Sequence, residues 1–438
     1  MKKIKMMMAA ALGVLVSCGS VKSGEEAIAA SRESKVVVAY VTSWSEVMPD
    51  PQYMTHINYA FGHVNESFNG VKIDNEERLR QIVDLRKQKP ELKVLLSIGG
   101  WGSGRFSEMA ANDEYRRAFA ADGDRVVKEF ALDGIDIDWE YPTSSMANIS
   151  SSPDDTENFT LLMQDIRAAI GNEKELTLAT VASARYIDFK AILPSVDFVN
   201  IMAYDMASAP KHHSALYPSG HSGDITSDGA VTAHLKAGVP PSKLVMGMPF
   251  YGRGGDGYPS FQDYNKVGNT DTQYTEKWDE VAQVPYLADK NDTLVFGFEN
   301  PRSLAIKCQY ILDKDLLGGM YWDYSGDNEQ GDLRRTVAEN LLGKPHKAKV
   351  LVLTERGGQH GGFTDAGLRW LAAEGVKGNF SITEINNARN ITEAYLSQFS
   401  LVIQLDFPPY TWPKEAEDAF VKYIEEGRGG WIGFHHAT

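Results

Sequence analysis

The chain is short of cysteine, of positive charge and of long apolar runs. It has only Cys18 and Cys308 in 438 residues, so a framework of several disulfides cannot hold it together. Its 44 Lys and Arg are outnumbered by 59 Asp and Glu, and a net charge of −15 argues against nucleic acid as a partner. No apolar stretch reaches the length of a bilayer span. Hydrophobic and charged contents of 43% and 24% instead fit an ordinary globular protein of two or three domains.

The most informative run is Asp133–Pro142, D-G-I-D-I-D-W-E-Y-P. Side chains alternate between the two faces of a strand, so a strand from Gly134 to Glu140 carries Asp136, Asp138 and Glu140 on one face and an apolar face opposite. The plain alternative is an edge strand whose acids lie in water. Because Trp139 lies on the opposite, apolar face, we favour an acid–base site at the carboxyl end of a buried strand.

This run predicts different catalytic roles for the three acids. Glu140 comes last, at the mouth of the sheet, and would be the general acid, its pKa raised by neighbouring negative charge. Asp138 would share a proton with Asp136 and move between it and Glu140. Most retaining glycosidases need a second carboxylate about 5 Å away across the scissile bond. Acids stacked along one strand suit a substrate that brings its own nucleophile, such as a 2-acetamido group.

At these residues the chain resembles glycoside hydrolase family 18, the chitinases. D-x-x-D-x-D-x-E over Asp133–Glu140 is similar to the family signature, and four other segments resemble family motifs on the third, sixth, seventh and eighth barrel strands. These segments are Ser97-Ile98-Gly99-Gly100-Trp101, Met202-Ala203-Tyr204-Asp205, Gly247-Met248-Pro249-Phe250-Tyr251-Gly252-Arg253 and Gly318-Gly319-Met320-Tyr321-Trp322-Asp323. The resemblance runs from about Val36 to Leu342, with no departure at the catalytic positions. It implies cleavage of chitin, and neither a metal nor another cofactor is expected.

Strands and helices alternate from Lys35 onward, which predicts a (β/α)₈ TIM barrel over 35–344. We expect Asn75 and Asp113 to cap helices and Pro90 to stop the first one. The predicted strands are Val36–Thr42, His56–Gly62, Lys93–Ile98, Ile135–Trp139, Leu176–Val181, Phe198–Tyr204, Leu244–Phe250 and Gly319–Trp322. The predicted helices are Glu76–Lys89, Glu114–Leu132, Thr156–Ile170, Asp228–Ala237 and Arg302–Asp313, and residues 254–301 resemble a small α+β insertion of many chitinases.

The marked residues fall at the carboxyl ends of strands, where barrel active sites collect. We expect Glu140, Asp138, Asp136 and Tyr204 to be catalytic. Tyr204 and Asp205 would hold the acetamido group from the side opposite Asp138, although Tyr204 alone could be a strand-end aromatic. Trp322 would stack on a sugar face. The remaining candidates for substrate binding, several with plain packing as the alternative, are Tyr40, Phe61, Gly100, Trp101, Tyr141 and Met202.

The first 34 residues predict export. Lys2, Lys3 and Lys5 precede an apolar run from Met6 to Val16, the pattern of a signal peptide over 1–17. Leu15-Val16-Ser17-Cys18 resembles a bacterial lipobox, so we expect lipidation at Cys18, a tether over 18–34 and a lipoprotein of the cell envelope, anchored to the outer or cytoplasmic membrane. A plain signal peptide, or a chance cysteine, is the alternative. Cys308 then serves as a small buried hydrophobe.

A second α/β unit follows Gly343-Lys344-Pro345. Residues 345–438 resemble the front part of a ThuA-like domain, related to the class I glutamine amidotransferase fold, so we expect a partial domain in a truncated chain. His435 stands where an amidotransferase needs cysteine, which argues against that chemistry. His360, His435 and His436 could form a metal or catalytic site. We expect strands at Lys349–Thr354, Leu401–Gln404 and 429–434 and helices at Asp365–Glu374 and Lys414–Glu426.

The leading hypothesis is therefore a retaining, substrate-assisted chitinase that acts on chitin or chito-oligosaccharides. The nearest rival enzyme is an endo-β-N-acetylglucosaminidase acting on the chitobiose core of N-glycans. A rival of another class is a catalytically inactive, lectin-like chitin-binding protein, which the presence of Glu140 disfavours.

Overall fold

The protein is described by a computed structural model that covers residues 35–255, 258–267, 273–343, 348–354, 361–378, 380–389, 391–406 and 412–434. Cys18, His360, His435 and His436 lie outside these ranges, as do the predicted signal peptide and tether. The described residues form a parallel barrel with a small antiparallel sheet attached, and a separate parallel sheet nearer the carboxyl terminus. None of the helices in these ranges is long and apolar enough to cross a membrane.

Eight parallel strands close the predicted barrel. Their order is β1-β14-β8-β7-β6-β5-β4-β2, and β2 pairs again with β1 to complete the ring. The strands of this part of the chain are β1 (Val36–Thr42), β2 (His56–Val64), β3 (Val71–Ile73), β4 (Lys93–Gly99), β5 (Gly134–Asp138), β6 (Glu175–Val181), β7 (Phe198–Met202), β8 (Leu244–Pro249), β9 (Tyr251–Gly254), β10 (Gln262–Asp263), β11 (Thr275–Asp279), β12 (Val284–Ala288), β13 (Leu294–Gly297) and β14 (Gly318–Trp322).

Helices connect most of the barrel strands, as the alternation predicts. They are α1 (Glu76–Val83), α2 (Phe106–Ala111), α3 (Asp113–Glu129), α4 (Asp155–Ile170), α5 (Phe189–Ile192), α6 (Ser227–Lys236), α7 (Pro301–Asp313) and α8 (Asp332–Leu341). The predicted cap at Asn75 is confirmed, because its side chain accepts from the Arg78 amide. The predicted cap at Asp113 is wrong: Asn112 accepts from the amides of the second and third residues of α3. The first helix also ends before Pro90, at Val83, with a 3₁₀ turn after it.

Strand β5 ends earlier than predicted, but its side chains face as predicted. It stops at Asp138, so Trp139 and Glu140 lie just beyond it. Ile135, Ile137 and Trp139 belong to the core between barrel and helices, and the Trp139 ring stacks on Phe106 at 5.3 Å. The edge-strand alternative is wrong, because β5 pairs with β4 on one side and β6 on the other.

Two smaller sheets complete the described chain. Between β8 and α7, five antiparallel strands run in the order β10-β9-β13-β12-β11, beginning at Tyr251. Further on lies a parallel sheet in the order β16-β15-β17-β18. Its elements are β15 (Ala348–Leu353), α9 (Gly361–Gly378), β16 (Phe380–Ile385), α10 (Glu393–Leu396), β17 (Leu401–Gln404), α11 (Lys414–Glu425) and β18 (Gly430–Gly433). The prediction missed β16, although F-S-I-T-E-I alternates apolar and polar side chains as a strand does.

Candidate active site

Asp136 lies inside the barrel and is completely buried. Its two carboxylate oxygens accept hydrogen bonds from side chains on four other strands. Those donors are Tyr40 Oη at 2.8 Å, Ser97 Oγ at 2.8 Å, Thr177 Oγ1 at 2.5 Å and Asn200 Nδ2 at 3.3 Å. Burial raises the pKa of Asp136, and the hydrogen bonds from Thr177, Ser97, Tyr40 and Asn200 oppose that rise. The network fixes Asp136 in place and supplies the partners that a buried carboxylate needs.

Asp138 is almost as deeply buried but lacks such partners. Its Oδ1 atom has no hydrogen-bond partner among the residues that the structure describes. Burial raises the pKa of Asp138 well above its usual value, and the charges of Glu140 and Asp136 raise it further. The pKa of Asp138 is therefore raised more strongly than that of Asp136, whose carboxylate accepts four hydrogen bonds.

Glu140 lies two residues beyond Asp138, where the chain leaves the strand. Burial raises the pKa of Glu140 to about 7; a hydrogen bond from Tyr141 lowers it and the charge of Asp205 raises it. The raised pKa agrees with the sequence analysis, but its main cause is desolvation, while we expected neighbouring charge to dominate. A glutamic acid with this pKa can hold a proton near neutral pH and release it during a reaction.

Asp205 follows β7 in a left-handed backbone conformation, with a φ of 53°. Both of its oxygens are held by Arg253, whose Nε and Nη2 donate at 2.7 and 2.6 Å. Burial raises the pKa of Asp205, but Arg253 and His213 lower it more strongly, so it stays well below its usual value. Asp205 is thus a fixed negative charge. A bidentate pair of this kind leaves the carboxylate little freedom to act as a nucleophile.

Tyr204 precedes Asp205 in the cavity wall and points its hydroxyl group toward the Met320 sulfur, 3.8 Å away. Burial raises the pKa of Tyr204 well above its usual value, and the charges of Asp138, Glu140 and Asp205 raise it further. The hydroxyl group therefore keeps its proton and can act as a donor.

These groups meet in one cavity of about 790 Å³. Ten of the twelve predicted site residues line it: Tyr40, Phe61, Trp101, Asp138, Glu140, Tyr141, Met202, Tyr204, Asp205 and Trp322. Asp136 lies outside the lining, beneath it. Gly100 lies outside it as well: with a φ of +91°, it brings its backbone so close to the Phe61 ring that a Cβ there would lie 2.6 Å from that ring. Gly100 also donates its amide to the Asp138 carbonyl at 2.8 Å.

Aromatic rings form much of the cavity wall. Phe61 and Tyr40 lie against Trp322, with ring centroids 5.5 and 5.6 Å away. Trp44 extends this group outward and is 63% exposed, its ring centroid 6.4 Å from that of Trp322. On the other side Tyr141 stacks on Tyr186 at 5.5 Å. Exposed and half-exposed rings beside a cavity suit the C–H faces of sugars better than they suit a protein core.

Sequence reasoning missed several lining residues, among them Trp44, Met146, Arg185, Tyr186, Tyr251, Arg253 and Phe261. Tyr251 and Arg253 stood inside a quoted motif, and the single positive charge there could have suggested a partner for Asp205. Trp44 lies two residues beyond the end of the first strand, which is the position of a cleft residue. The others lie in loops that carry no local pattern.

A second cavity, of about 930 Å³, lies between the antiparallel sheet and the loop before α8. It holds none of the predicted site residues, and several of its polar side chains already serve the fold. Asn328, for example, accepts from the Asp332 amide and donates to the Asp332 side chain. Across the described ranges, no group of three or more His, Cys, Asp or Glu side chains is arranged to hold a metal ion.

Comparison with known proteins agrees with this geometry. A model for "Glycosyl hydrolases family 18" matches residues 36–327, and one for "Trehalose utilisation", ThuA, matches residues 349–438. Chitinase A1 of Niallia circulans is 29% identical over 70% of this chain, which spans 58% of that relative's length. Chitotriosidase-1 of Mus musculus is 31% identical over 67% of this chain and 74% of its own.

Solved structures agree as well. A glycoside hydrolase family 18 N-acetylglucosaminidase from Paenibacillus barengoltzii is 32% identical, with a TM-score of 0.65, over 70% of this chain and 99% of that one. The family model over residues 36–327 covers the barrel strands and the cavity between them.

Proposed function

The chain belongs to the glycosyl hydrolases family 18, and from that premise we propose that it cleaves β-1,4-linked N-acetylglucosamine polymers with retention of configuration. The observation that carries the proposal is the pairing of Asp138 and Glu140 in one cavity wall, with a pKa of Glu140 raised to about 7. Similarity to chitinases from bacteria and animals supports the same class of substrate.

In this proposal Glu140 protonates the glycosidic oxygen as the bond to the anomeric carbon breaks. The substrate's own acetamido oxygen attacks that carbon and forms an oxazolinium ion. Asp138 steadies the positive charge through the acetamido N–H, using Oδ1, which has no hydrogen-bond partner among the described residues. Glu140, now ionised, removes a proton from water, and the water opens the oxazolinium ring.

Tyr204 and Asp205 would hold the acetamido group from the other side. The protonated Tyr204 hydroxyl group can donate to the acetamido oxygen. Asp205 is the other carboxylate among the described cavity-lining residues, and the Arg253 fork occupies both its oxygens. This supports the substrate, rather than a second carboxylate, as the nucleophile.

A thiazoline analogue of N-acetylglucosamine oligomers tests the proposal, because it copies the bicyclic intermediate and should inhibit strongly. The parent N-acetylglucosamine oligomer, which lacks the fused ring, serves as the control and should bind much more weakly. Trapping a covalent glycosyl-enzyme on any carboxylate of the cavity would overturn the scheme.

The second candidate function is that of an N-acetylglucosaminidase, which would use the same chemistry on a different substrate. It is favoured by the similarity to the Paenibacillus barengoltzii protein, which is described as an N-acetylglucosaminidase. The form expected from the sequence is an endo-β-N-acetylglucosaminidase that cleaves N-glycan cores. Product profiles on chitin oligomers and on a glycoprotein separate the two: cleavage of oligomers supports the chitinase, and release of intact N-glycans supports the alternative.

For the cell, we propose an exported lipoprotein anchored through Cys18. The three lysines, the apolar run and the lipobox-like Leu15–Cys18 support it. Replacing Cys18 by Ala should release the protein from the membrane fraction, with Cys308→Ala, a buried thiol in α7, as the matched control. A wild-type mature amino terminus other than Cys18 would contradict the anchor.

A further inference from the structure

His213 is a buried histidine beside the cavity to which neither the sequence nor the proposed mechanism gives a role. It lies in the long loop between β7 and α6 and is completely buried. Its Nδ1 atom lies 3.4 Å from Asp205 Oδ1. Neither ring nitrogen has a partner with regular hydrogen-bond geometry among the described residues, so the approach to Asp205 is a close polar contact. Burying a polar ring with a single polar neighbour costs free energy of folding, so we expect the contact between His213 and Asp205 to have a function.

The surrounding loop holds His213 at this place from three directions. The Met206 amide, directly after Asp205, donates to the His213 carbonyl at 3.0 Å. His212, the residue before His213, pairs through Nε2 with Asp279 Oδ2 at 3.1 Å. On the other side, Ser214 donates to Glu299 at 2.6 Å, and its carbonyl accepts from Lys307 at 2.5 Å. With its backbone fixed in this way, the imidazole has a defined position against Asp205.

Two side chains therefore contact the Asp205 carboxylate from different sides. Arg253 takes both carboxylate oxygens from a partly exposed position, while His213 approaches Oδ1 from the interior. The Tyr251 ring, which lines the cavity, packs against the His213 ring with centroids 5.4 Å apart. The Arg253 fork fixes the carboxylate plane through both oxygens, and the His213 contact adds a second constraint at Oδ1 from the buried side.

We propose that His213 is a positioning residue that fixes the Asp205 carboxylate for its contact with the substrate's acetamido group. The proposal rests on the proposed function, in which Asp205 contacts that group. His213 acts through Asp205 and does not touch the sugar.

Removing the contact has a consequence for pH as well as for rate. The titratable and charged groups that face Asp205 are Arg253, His213, Tyr251, Tyr204, Tyr141 and Glu140. Against the effect of burial, Arg253 and His213 hold the pKa of Asp205 low, so losing His213 raises that pKa toward its usual value. Asp205 then takes up its proton at a higher pH, and the acidic limb of the kcat/KM profile moves up with it.

Two substitutions of His213 distinguish the effect of a nitrogen at the position of Nδ1 from the effect of side-chain size. Asn carries its amide nitrogen at the place of Nδ1, whereas Gln carries it at the place of Nε2, away from Asp205. With full-length protein and chitotetraose, His213→Gln should lower kcat/KM roughly tenfold and move the acidic limb to higher pH. His213→Asn should stay within about twofold of wild type in rate and keep the wild-type acidic limb.

The matched control is His234, another completely buried histidine, whose Nδ1 faces the Ala230 carbonyl at 2.8 Å within α6. Thermal unfolding is measured for the Asn and Gln variants at His213 and at His234, so that losses of activity can be separated from losses of stability. The loss of stability should be similar at the two positions. Neither His234 variant should move the pH profile.

Unchanged kcat/KM and pH profile in His213→Gln would overturn the proposal, and so would equal losses in the Asn and Gln variants. Wild-type protein that cleaves no N-acetylglucosamine oligomer contradicts the proposed function itself, which the wild-type measurement separates from a failure at His213.

Discussion

At the residue scale, the acids of the site could be predicted and their partners could not. The two-residue period of a strand places Asp136 and Asp138 on one face from the sequence alone. The four donors around Asp136 come from strands 39 to 96 positions away in the chain. Arg253 lies 48 positions from Asp205. No local pattern joins such residues, because closure of the barrel brings them together.

The same scale offers a test of the charge on Asp205. Glu140 acts as the acid only when protonated, so kcat/KM should fall as pH rises through about 7. Asp205 raises the pKa of Glu140, hence Asp205→Asn should move this basic limb to lower pH, besides reducing the rate. Asp292→Asn removes the same charge outside the cavity and is the control. A basic limb that stays in place, or moves up, would contradict this account of the pKa of Glu140.

At the scale of elements, regular strands and helices follow their sequence patterns, and long loops do not. All eight barrel strands were predicted within a few residues, because most are apolar runs bounded by turn residues and β5 alternates apolar and acidic side chains. The segment from 203 to 226 carries Asp205 and His213 yet has no periodicity, since its shape comes from side chains elsewhere. Lys307 in α7 and Glu299 just before it hold Ser214, and both charged side chains are completely buried.

The contacts of Lys307 and Glu299 with Ser214, called the clamp below, lead to a prediction about stability. Lys307→Met leaves the buried Glu299 charge without its partner, so the free energy of unfolding should fall by about 3–5 kcal/mol in urea titration. The double variant with Glu299→Gln should recover part of the loss. Lys277→Met breaks the ion pair with Asp292 at the surface and should cost about 1 kcal/mol or less. Equal effects of Lys307→Met and Lys277→Met would show that the clamp does not hold the loop.

At the scale of the whole molecule, the chain carries two units with separate sheets. Every described residue of the candidate site lies in the barrel, in its loops or in the segment of the small antiparallel sheet. The second, parallel sheet has its own apolar cores, built around Leu351 and Val402 on one face and Val350 and Ile403 on the other. The sequence predicted both units by their alternating patterns, while the extent of each remains a prediction.

Separate sheets and cores predict that the second unit is dispensable for hydrolysis. A shortened chain of residues 35–344 should fold and keep the turnover of the full-length protein on soluble chitin oligomers. Circular dichroism and thermal unfolding confirm that it is folded before activity is compared. If the shortened chain is folded but inactive, residues 345–438 contribute to the cleft and the boundary is wrong.

The central claim is that Glu140 gives and takes the proton in cleavage, and Glu140→Gln tests it most directly. The amide keeps the shape of the side chain but cannot donate a proton, so turnover of chitotetraose should fall by about 100- to 10,000-fold. Calorimetric titration of the variant with the same oligomer should still show binding, because the aromatic wall and Asp205 are unchanged. A variant that binds the oligomer and keeps half of the wild-type turnover would remove Glu140 from the mechanism.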